Sequence, residues 1–112
     1  MPISREDVQA LLREPVPPSG SAPDPRYRAW HEWQARWRQV GIEHAAVCVD
    51  ALENADEPEQ YAALLALPLL GFEAWANGYG ADLVYEVTAP APGATKRIIK
   101  PRITPAPDGA PR

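Results

Sequence analysis

The feature that most constrains this chain is a tryptophan-rich stretch over residues 24–39, DPRYRAWHEWQARWRQ. It contains Trp30, Trp33 and Trp37, three of the four tryptophans in the sequence. If the stretch is a helix, with about 100° between successive residues, these three rings fall within one stripe about 140° wide together with Tyr27 and Val40. The pattern predicts an amphipathic helix whose tryptophans are buried, either in the protein core or in a dimer interface.

The sequence indicates clearly where this helix starts but leaves open where it ends. Asp24 followed by Pro25 is typical of a helix N-terminus, with the carboxylate as N-cap and the proline at the first helical position. Gly41 is the natural place for a break. However, if the helix continued past Gly41, residues beyond it would lie on the same helix face as Trp30. These residues are His44, Val47, Cys48, Ala51 and Leu52. The phase match favours one helix of about 30 residues, bent at Gly41, over two helices joined by a turn.

A short helix is predicted before the tryptophan-rich stretch, over residues 1–14. Ser4 is a suitable N-cap, because acidic residues follow it in the first turn. Pro15 ends the helix. Residues 15–24 are rich in proline and form a predicted linker. A helix of about three turns is marginal alone, so we expect it to dock on the rest of the protein.

A further helix follows residues 54–58, NADEP, which stop one helix and start the next. Pro68 removes a backbone donor and should kink or split this helix near Leu67. Around the kink, residues 64–70 (LLALPLL) are apolar on every side and must be covered by the fold or by a partner. The periodicity extends this kinked helix through Phe72, Trp75 and Ala76 to a C-terminus at Asn77-Gly78.

The apolar period then changes from helical to alternating. Residues 82–88 (DLVYEVT) predict a strand with one better-buried face. Residues 96–104 (KRIIKPRIT) predict a second strand, and Pro101 with the neighbouring cations makes it an edge strand. The expectation is one α+β domain over residues 25–104, in which a helical core is followed by a C-terminal β-hairpin. Residues 105–112 are expected to be a disordered tail.

Composition narrows the classes of protein to which the chain can belong. The single cysteine excludes an internal disulfide. The N-terminus lacks the apolar core of a signal peptide. No apolar run approaches the roughly 20 residues that a helix needs to span a bilayer. We therefore expect a cytoplasmic protein. Abundant Ala, Arg and Pro with scarce Lys and Asn are typical of a GC-rich bacterial or phage genome. The net charge of −4 combines an acidic stretch over residues 43–59 with a basic stretch over residues 96–102, which favours pairing between the two.

Catalytic and metal-binding patterns are weak. His44 and Cys48 have the i, i+4 spacing of two metal ligands, but no third and fourth donor accompany them. We interpret Cys48 as a small buried hydrophobe. The carboxylates of residues 50–59 lie in a solvated turn that lacks the apolar surroundings needed for acid catalysis. The sequence predicts no enzyme, no metal and no cofactor.

The class that remains after these exclusions is a protein-interaction module of the adaptor, immunity or inhibitor type. Its excess of apolar surface predicts first that it forms a homodimer and second that it binds another protein. Six residues are predicted for the protein interface: Trp30, Trp33 and Trp37 anchor the core or the dimer seam, and Leu67, Leu69 and Leu70 lie on the contact surface. The alternative is a nucleic-acid-binding accessory protein that uses Arg97, Lys100 and Arg102 of the basic strand. The negative net charge and the expected burial of the aromatic stripe favour the first hypothesis.

Overall fold

The computed structural model describes residues 3–20 and 24–103, which form four α-helices followed by a three-stranded antiparallel sheet. The expected α+β class is confirmed. The predicted tail at 105–112 and linker residues 21–23 lie outside the described residues. The helices are α1 (Arg5–Arg13), α2 (Arg28–Arg38), α3 (Ala45–Asn54) and α4 (Glu57–Ala66), and the strands are β1 (Glu73–Asn77), β2 (Val84–Thr88) and β3 (Arg97–Ile99).

Helix α1 begins as the sequence predicts. The Ser4 hydroxyl accepts the Asp7 backbone N–H at 3.1 Å, and the Asp7 carboxylate accepts the Ser4 backbone N–H at 3.0 Å. This capping box satisfies two backbone donors that a helix start leaves unpaired. The helix packs against α3 and α4, and its Val8 and Leu12 side chains are buried. Docking therefore stabilises a helix that would be marginal alone.

The prediction of one helix that continues through Gly41 is wrong. Helix α2 ends at Arg38, Gly41 is extended (φ −72°, ψ 154°), and a 3-10 turn over Ile42–His44 leads into α3. Glycine gains no side-chain packing in a helix and loses more conformational freedom there than other residues. After the break, α3 packs against α4. Two consecutive short helices that each bury one face can show the same spacing of apolar residues as one long helix, so the spacing does not distinguish the two.

Pro68 splits its helix as predicted. Helix α4 ends at Ala66, and a 3-10 segment follows over Leu67–Leu70. The segment ends at Gly71, whose φ of 97° is strained for residues with a side chain. Its N–H donates to the Pro68 carbonyl, and the Phe72 N–H donates to the Leu67 carbonyl, both at 3.1 Å. These bonds form a Schellman motif, which terminates helical structure.

The prediction that the kinked helix continues through Trp75 to Asn77-Gly78 is therefore wrong. Residues 73–77 form β1, which pairs with β2 in antiparallel register. The predicted hairpin corresponds to β2 and β3, and it is one half of a sheet with the order β1-β2-β3. Strand β2 lies within the predicted range, and β3 covers only Arg97–Ile99 of the predicted 96–104. The prediction that this last strand is an edge strand is confirmed.

The core lies between the helices and one face of the sheet. Trp33 and Trp37 of α2 are completely buried and meet edge to face, with ring centroids 6.1 Å apart. The sheet contributes Tyr85, Val87 and Ile99 to the buried residues.

A buried hydrogen-bond network joins the helices to the sheet. The Tyr85 hydroxyl donates to Gln60 Oε1 at 2.8 Å, and Gln60 Nε2 donates to the carbonyls of Ala55 at 2.8 Å and Ile103 at 2.7 Å. The Gln60 side chain is therefore satisfied although it is fully buried.

Candidate functional site

The strand register gives the sheet two unlike faces. Paired residues on neighbouring antiparallel strands lie on the same face. One row consists of Ala76, Tyr85 and Ile99; Tyr85 and Ile99 are buried in the core, and Ala76, on the edge strand, is exposed. The adjacent row consists of Trp75, Glu86 and Ile98, and it lies on the opposite face. We call that face the outer face; it also contains Glu73, Asn77, Val84 and Thr88.

Large apolar side chains are exposed on and beside the outer face. Trp75 is 42% exposed and Ile98 is 57% exposed. Tyr79, in the turn after β1, is 82% exposed. A tryptophan and an isoleucine in one row of a sheet make a contact surface that a soluble domain does not need for its own core.

Between these two apolar residues lies an organised polar centre. Glu86 is only 7% exposed although it lies on the outer face. Its carboxylate pairs with Lys96 Nζ at 2.8 Å and accepts a hydrogen bond from Asn77 Nδ2 at 2.8 Å. The Lys96 ammonium lies 5.4 Å from the centroid of the Trp75 ring, within range of a cation–π interaction. Trp75, Lys96, Glu86 and Asn77 therefore hold one another in place.

This arrangement keeps Glu86 charged. The hydrogen bond from Lys96 is the main cause that lowers the pKa of the Glu86 carboxyl below its ordinary value, and the bond from Asn77 adds to it. A carboxyl group with a lowered pKa holds no proton to donate near neutral pH, so Glu86 is unsuited to acid catalysis. The centre is a fixed, charge-compensated pair within an apolar surface, which suits recognition of another surface.

The outer face ends at an edge strand that lacks the usual protection. The order β1-β2-β3 makes β1 and β3 the two edges of the sheet. In the described part of the chain, the backbone of β1 has no hydrogen-bonded neighbour strand on its far side. Its sequence, EAWAN, contains no Lys, Arg or Pro, the residues that usually discourage pairing at a sheet edge.

The residues predicted for the core or the contact surface are mostly in the core. Trp33, Trp37 and Leu67 are completely buried, and Leu70 is almost so. Trp30 is partly buried and stacks on Trp33 with ring centroids 5.4 Å apart. Leu69 is also partly buried. Within this chain, Leu67 and Leu70 therefore cover one side of α2 instead of forming an exposed surface, because the 3-10 segment packs against that helix.

The three cations predicted for nucleic-acid contact have separate surroundings. Lys100 Nζ donates to the carbonyls of Ala81 and Leu83, which ties the β1–β2 turn to the end of β3. Arg102 lies 3.7 Å from the Glu53 carboxylate, and its backbone N–H donates to the Glu53 carbonyl at 2.6 Å. This pair joins the acidic and basic stretches, as their charges predict. Arg97 is exposed beside α3. These partners weaken the case for a shared phosphate-binding patch.

The sequence interpretation missed Trp75 as a surface residue. Trp75 follows Phe72 by three residues, a spacing that fits one face of a helix and therefore predicts that the kinked helix includes Trp75. The contrary signal is the glycine after the apolar segment. Gly71 is a suitable helix C-terminus, and the alternation of Glu73, Trp75 and Asn77 with two alanines fits a strand.

Cys48, the one cysteine of the sequence, lies in the core. Burial raises the pKa of the Cys48 thiol to about 12, so the thiolate that acts as nucleophile or ligand is disfavoured. Among residues 3–20 and 24–103, no group of three or more His, Cys, Asp or Glu side chains is placed to hold a metal ion. None of the helices in these ranges has the length and apolar character that crossing a bilayer requires.

Comparison of the chain with family models, with curated proteins and with solved structures finds no match. The function must therefore be inferred from the chain's own surface, and the outer face with strand β1 is the candidate site.

Proposed function

We propose that this chain is a non-enzymatic protein-interaction module that forms a homodimer through strand β1 and the outer face of its sheet. The observation that carries the proposal is Trp75, a 42% exposed tryptophan on an unprotected edge strand. Exposed aromatic residues of this kind are enriched at the energetically important centres of protein interfaces.

The two edges of the sheet suggest where a partner adds. Strand β3 is three residues long, and Lys96, Lys100 and Pro101 flank it. Each of these features discourages addition of another strand. Strand β1 is five residues long and has only one charged residue, Glu73. A strand of a partner is therefore expected to pair with β1 and not with β3.

The sequence of β1 is also compatible with its own copy. A two-fold axis through Trp75, in antiparallel pairing, places Trp75 opposite Trp75 and Ala74 opposite Ala76. It places Glu73 opposite Asn77, whose amide has a second N–H besides the one that Glu86 accepts. No like charges face each other in this register. The paired tryptophan rings would add an aromatic contact across the seam.

Sedimentation equilibrium tests the proposal. The wild-type protein should be a dimer at high micromolar concentration. Trp75→Lys places two lysines opposite each other and removes the aromatic pair, so it should raise the dimer Kd by at least about 30-fold, equivalent to about 2 kcal/mol. The matched control is Ile42→Lys, which makes the same kind of change at a residue that is 52% exposed and outside the seam.

Ile42→Lys should stay dimeric, and circular dichroism should show that both variants keep the native fold. A wild-type protein that is monomeric throughout this range, or a Trp75→Lys protein that dimerises as well as the wild type, would contradict the proposal.

A further inference from the structure

A second surface lies between α3 and the sheet. A groove of about 490 Å³ runs between α3 with its preceding 3-10 turn and the chain around Phe72 and Arg97. We call it the α3 groove. Its lining is Ile42, Glu43, Ala45, Ala46, Val49, Asp50, Glu53, Phe72 and Arg97.

The apolar part of the lining follows one side of a helix. Ile42, Ala46 and Val49 are spaced i, i+4 and i+7 along the turn and α3, the spacing of residues on one helix face. Ile42 is 52% exposed, Ala46 is exposed, and Val49 and Phe72 are partly buried. An apolar stripe on a helix is ordinarily covered by another element, so this stripe is suited to receive an amphipathic partner.

The charged part of the lining selects the partner. Glu43, Asp50 and Glu53 contribute carboxylates, against which the groove has one cation, Arg97. Arg102 lies 3.7 Å from the Glu53 carboxylate and compensates part of its charge. Glu43 and Asp50 lie on the helical wall, beside the apolar stripe. A cationic ligand is attracted by this arrangement, whereas a polyanion is repelled.

We propose that the α3 groove binds a basic amphipathic helical segment of another protein. The apolar face of that segment would contact Ile42, Ala46 and Val49, and its Lys or Arg side chains would pair with Glu43 and Asp50. Charge complementarity and the helical spacing of the apolar residues are the two observations that support this occupant.

The inference goes beyond the proposed homodimer and does not depend on it. The groove contacts Arg97 of β3 on the core-facing side of the sheet and Phe72, the residue before β1, whereas the dimer seam uses β1 and the outer face.

The test uses a synthetic helical peptide of about 16 residues, long enough to form a helix on binding. Its leucines follow an i, i+4, i+7 spacing and lysines flank them. The control peptide has glutamate in place of each lysine. Calorimetry should show saturable binding of the lysine peptide with one site per chain, and at least about tenfold weaker binding of the glutamate peptide. Amide NMR signals should move over residues 42–53 and at Arg97.

Two variants locate the binding. Glu43→Gln with Asp50→Asn should weaken the lysine peptide by about three- to tenfold, the range expected for two exposed ion pairs. Glu6→Gln with Glu32→Gln makes the same change in net charge at exposed residues outside the groove, and it should leave the affinity unchanged. Ala46→Arg puts a bulky cation in the groove and should weaken binding by more than about tenfold.

Several outcomes would overturn the inference. These are no saturable binding of the lysine peptide, equal binding of the two peptides, no effect of the groove variants, or NMR changes confined to the outer face of the sheet. A second copy of the chain as the occupant would appear as self-association that Ala46→Arg abolishes while Trp75→Lys does not, and this outcome would also overturn it.

Discussion

Two regions of the molecule use tryptophan in opposite ways. In α2, which packs against the 3-10 segment over Leu67–Leu70, Trp33 and Trp37 are completely buried. In β1, Trp75 lies on the face of the sheet turned away from the core and is 42% exposed. The first two rings stabilise the fold. The third contributes little core burial, and we propose that it contacts a partner instead.

The difference shows what periodicity can and cannot indicate. A helix stripe of several large aromatic residues has to be buried, because its exposure would cost too much free energy. A single tryptophan in an alternating strand lies on one of two faces, and only the packing of the whole sheet decides which one faces the core.

The largest expected effect separates the two regions directly. Trp37→Ala removes a fully buried ring and leaves a cavity, so the free energy of unfolding should fall by about 3–5 kcal/mol. Trp75→Ala should lower it by only about 1 kcal/mol, because much of that ring is already in solvent. Urea denaturation followed by circular dichroism measures both values.

The measurement should be made at a protein concentration far below the dimer Kd, so that loss of association does not add to the effect of Trp75→Ala. Trp37→Phe is the milder companion if Trp37→Ala does not fold. Equal losses at the two positions would show that Trp75 is as much a part of the core as Trp37.

The parts of this fold that the sequence predicts are those encoded by neighbouring residues. Ser4 and Asp7 form a capping box within one turn, and regular α-helix ends two residues before Pro68. Strand β2 is predicted because its alternation covers five consecutive residues. In each case, the physical cause lies within a few residues of its effect.

The missed parts depend on residues that are distant along the chain. Strand β1 exists because β2 pairs with it, and neither Phe72 nor Trp75 reveals that partner locally. The break at Gly41 likewise depends on how α3 packs against α4. The candidate site was missed for the same reason. Trp75 is exposed because β1 turns it away from the core, and this orientation follows only from the assembled sheet.

The second prediction concerns the buried hydrogen-bond network that joins helix α4 to strand β2. Tyr85→Phe removes the hydroxyl that donates to Gln60 Oε1 at 2.8 Å and leaves a buried acceptor unpaired. The free energy of unfolding should fall by about 1–2 kcal/mol. Tyr79→Phe makes the same chemical change at a residue that is 82% exposed and should change it by less than about 0.5 kcal/mol. Equal effects in urea denaturation would mean that the buried bond contributes no more than a solvated hydroxyl.

The smallest effect is a pH dependence that belongs to the outer face. The pKa of Glu86 lies below its ordinary value of 4.5, chiefly because Lys96 donates a hydrogen bond to its carboxylate. A lowered pKa in the folded protein means that the carboxylate contributes stability above about pH 4.5, and this contribution is lost as the pH falls through the folded pKa. Glu86→Gln lacks the titration. The stability of the wild type relative to Glu86→Gln should therefore decrease as the solution is acidified below pH 4.5.

The Lys96→Met variant shows whether the ion pair is the cause. NMR titration of the Glu86 carboxyl should give a higher pKa in Lys96→Met than in the wild type, because the largest lowering interaction is gone. In a Glu86→Gln background, Lys96→Met should no longer alter the pH dependence of stability, since the two changes remove the same interaction. An unchanged Glu86 pKa in Lys96→Met would show that Asn77 and the rest of the outer face hold the carboxylate without the lysine. The polar centre beside Trp75 would then be organised by β1 itself and not by the segment before β3.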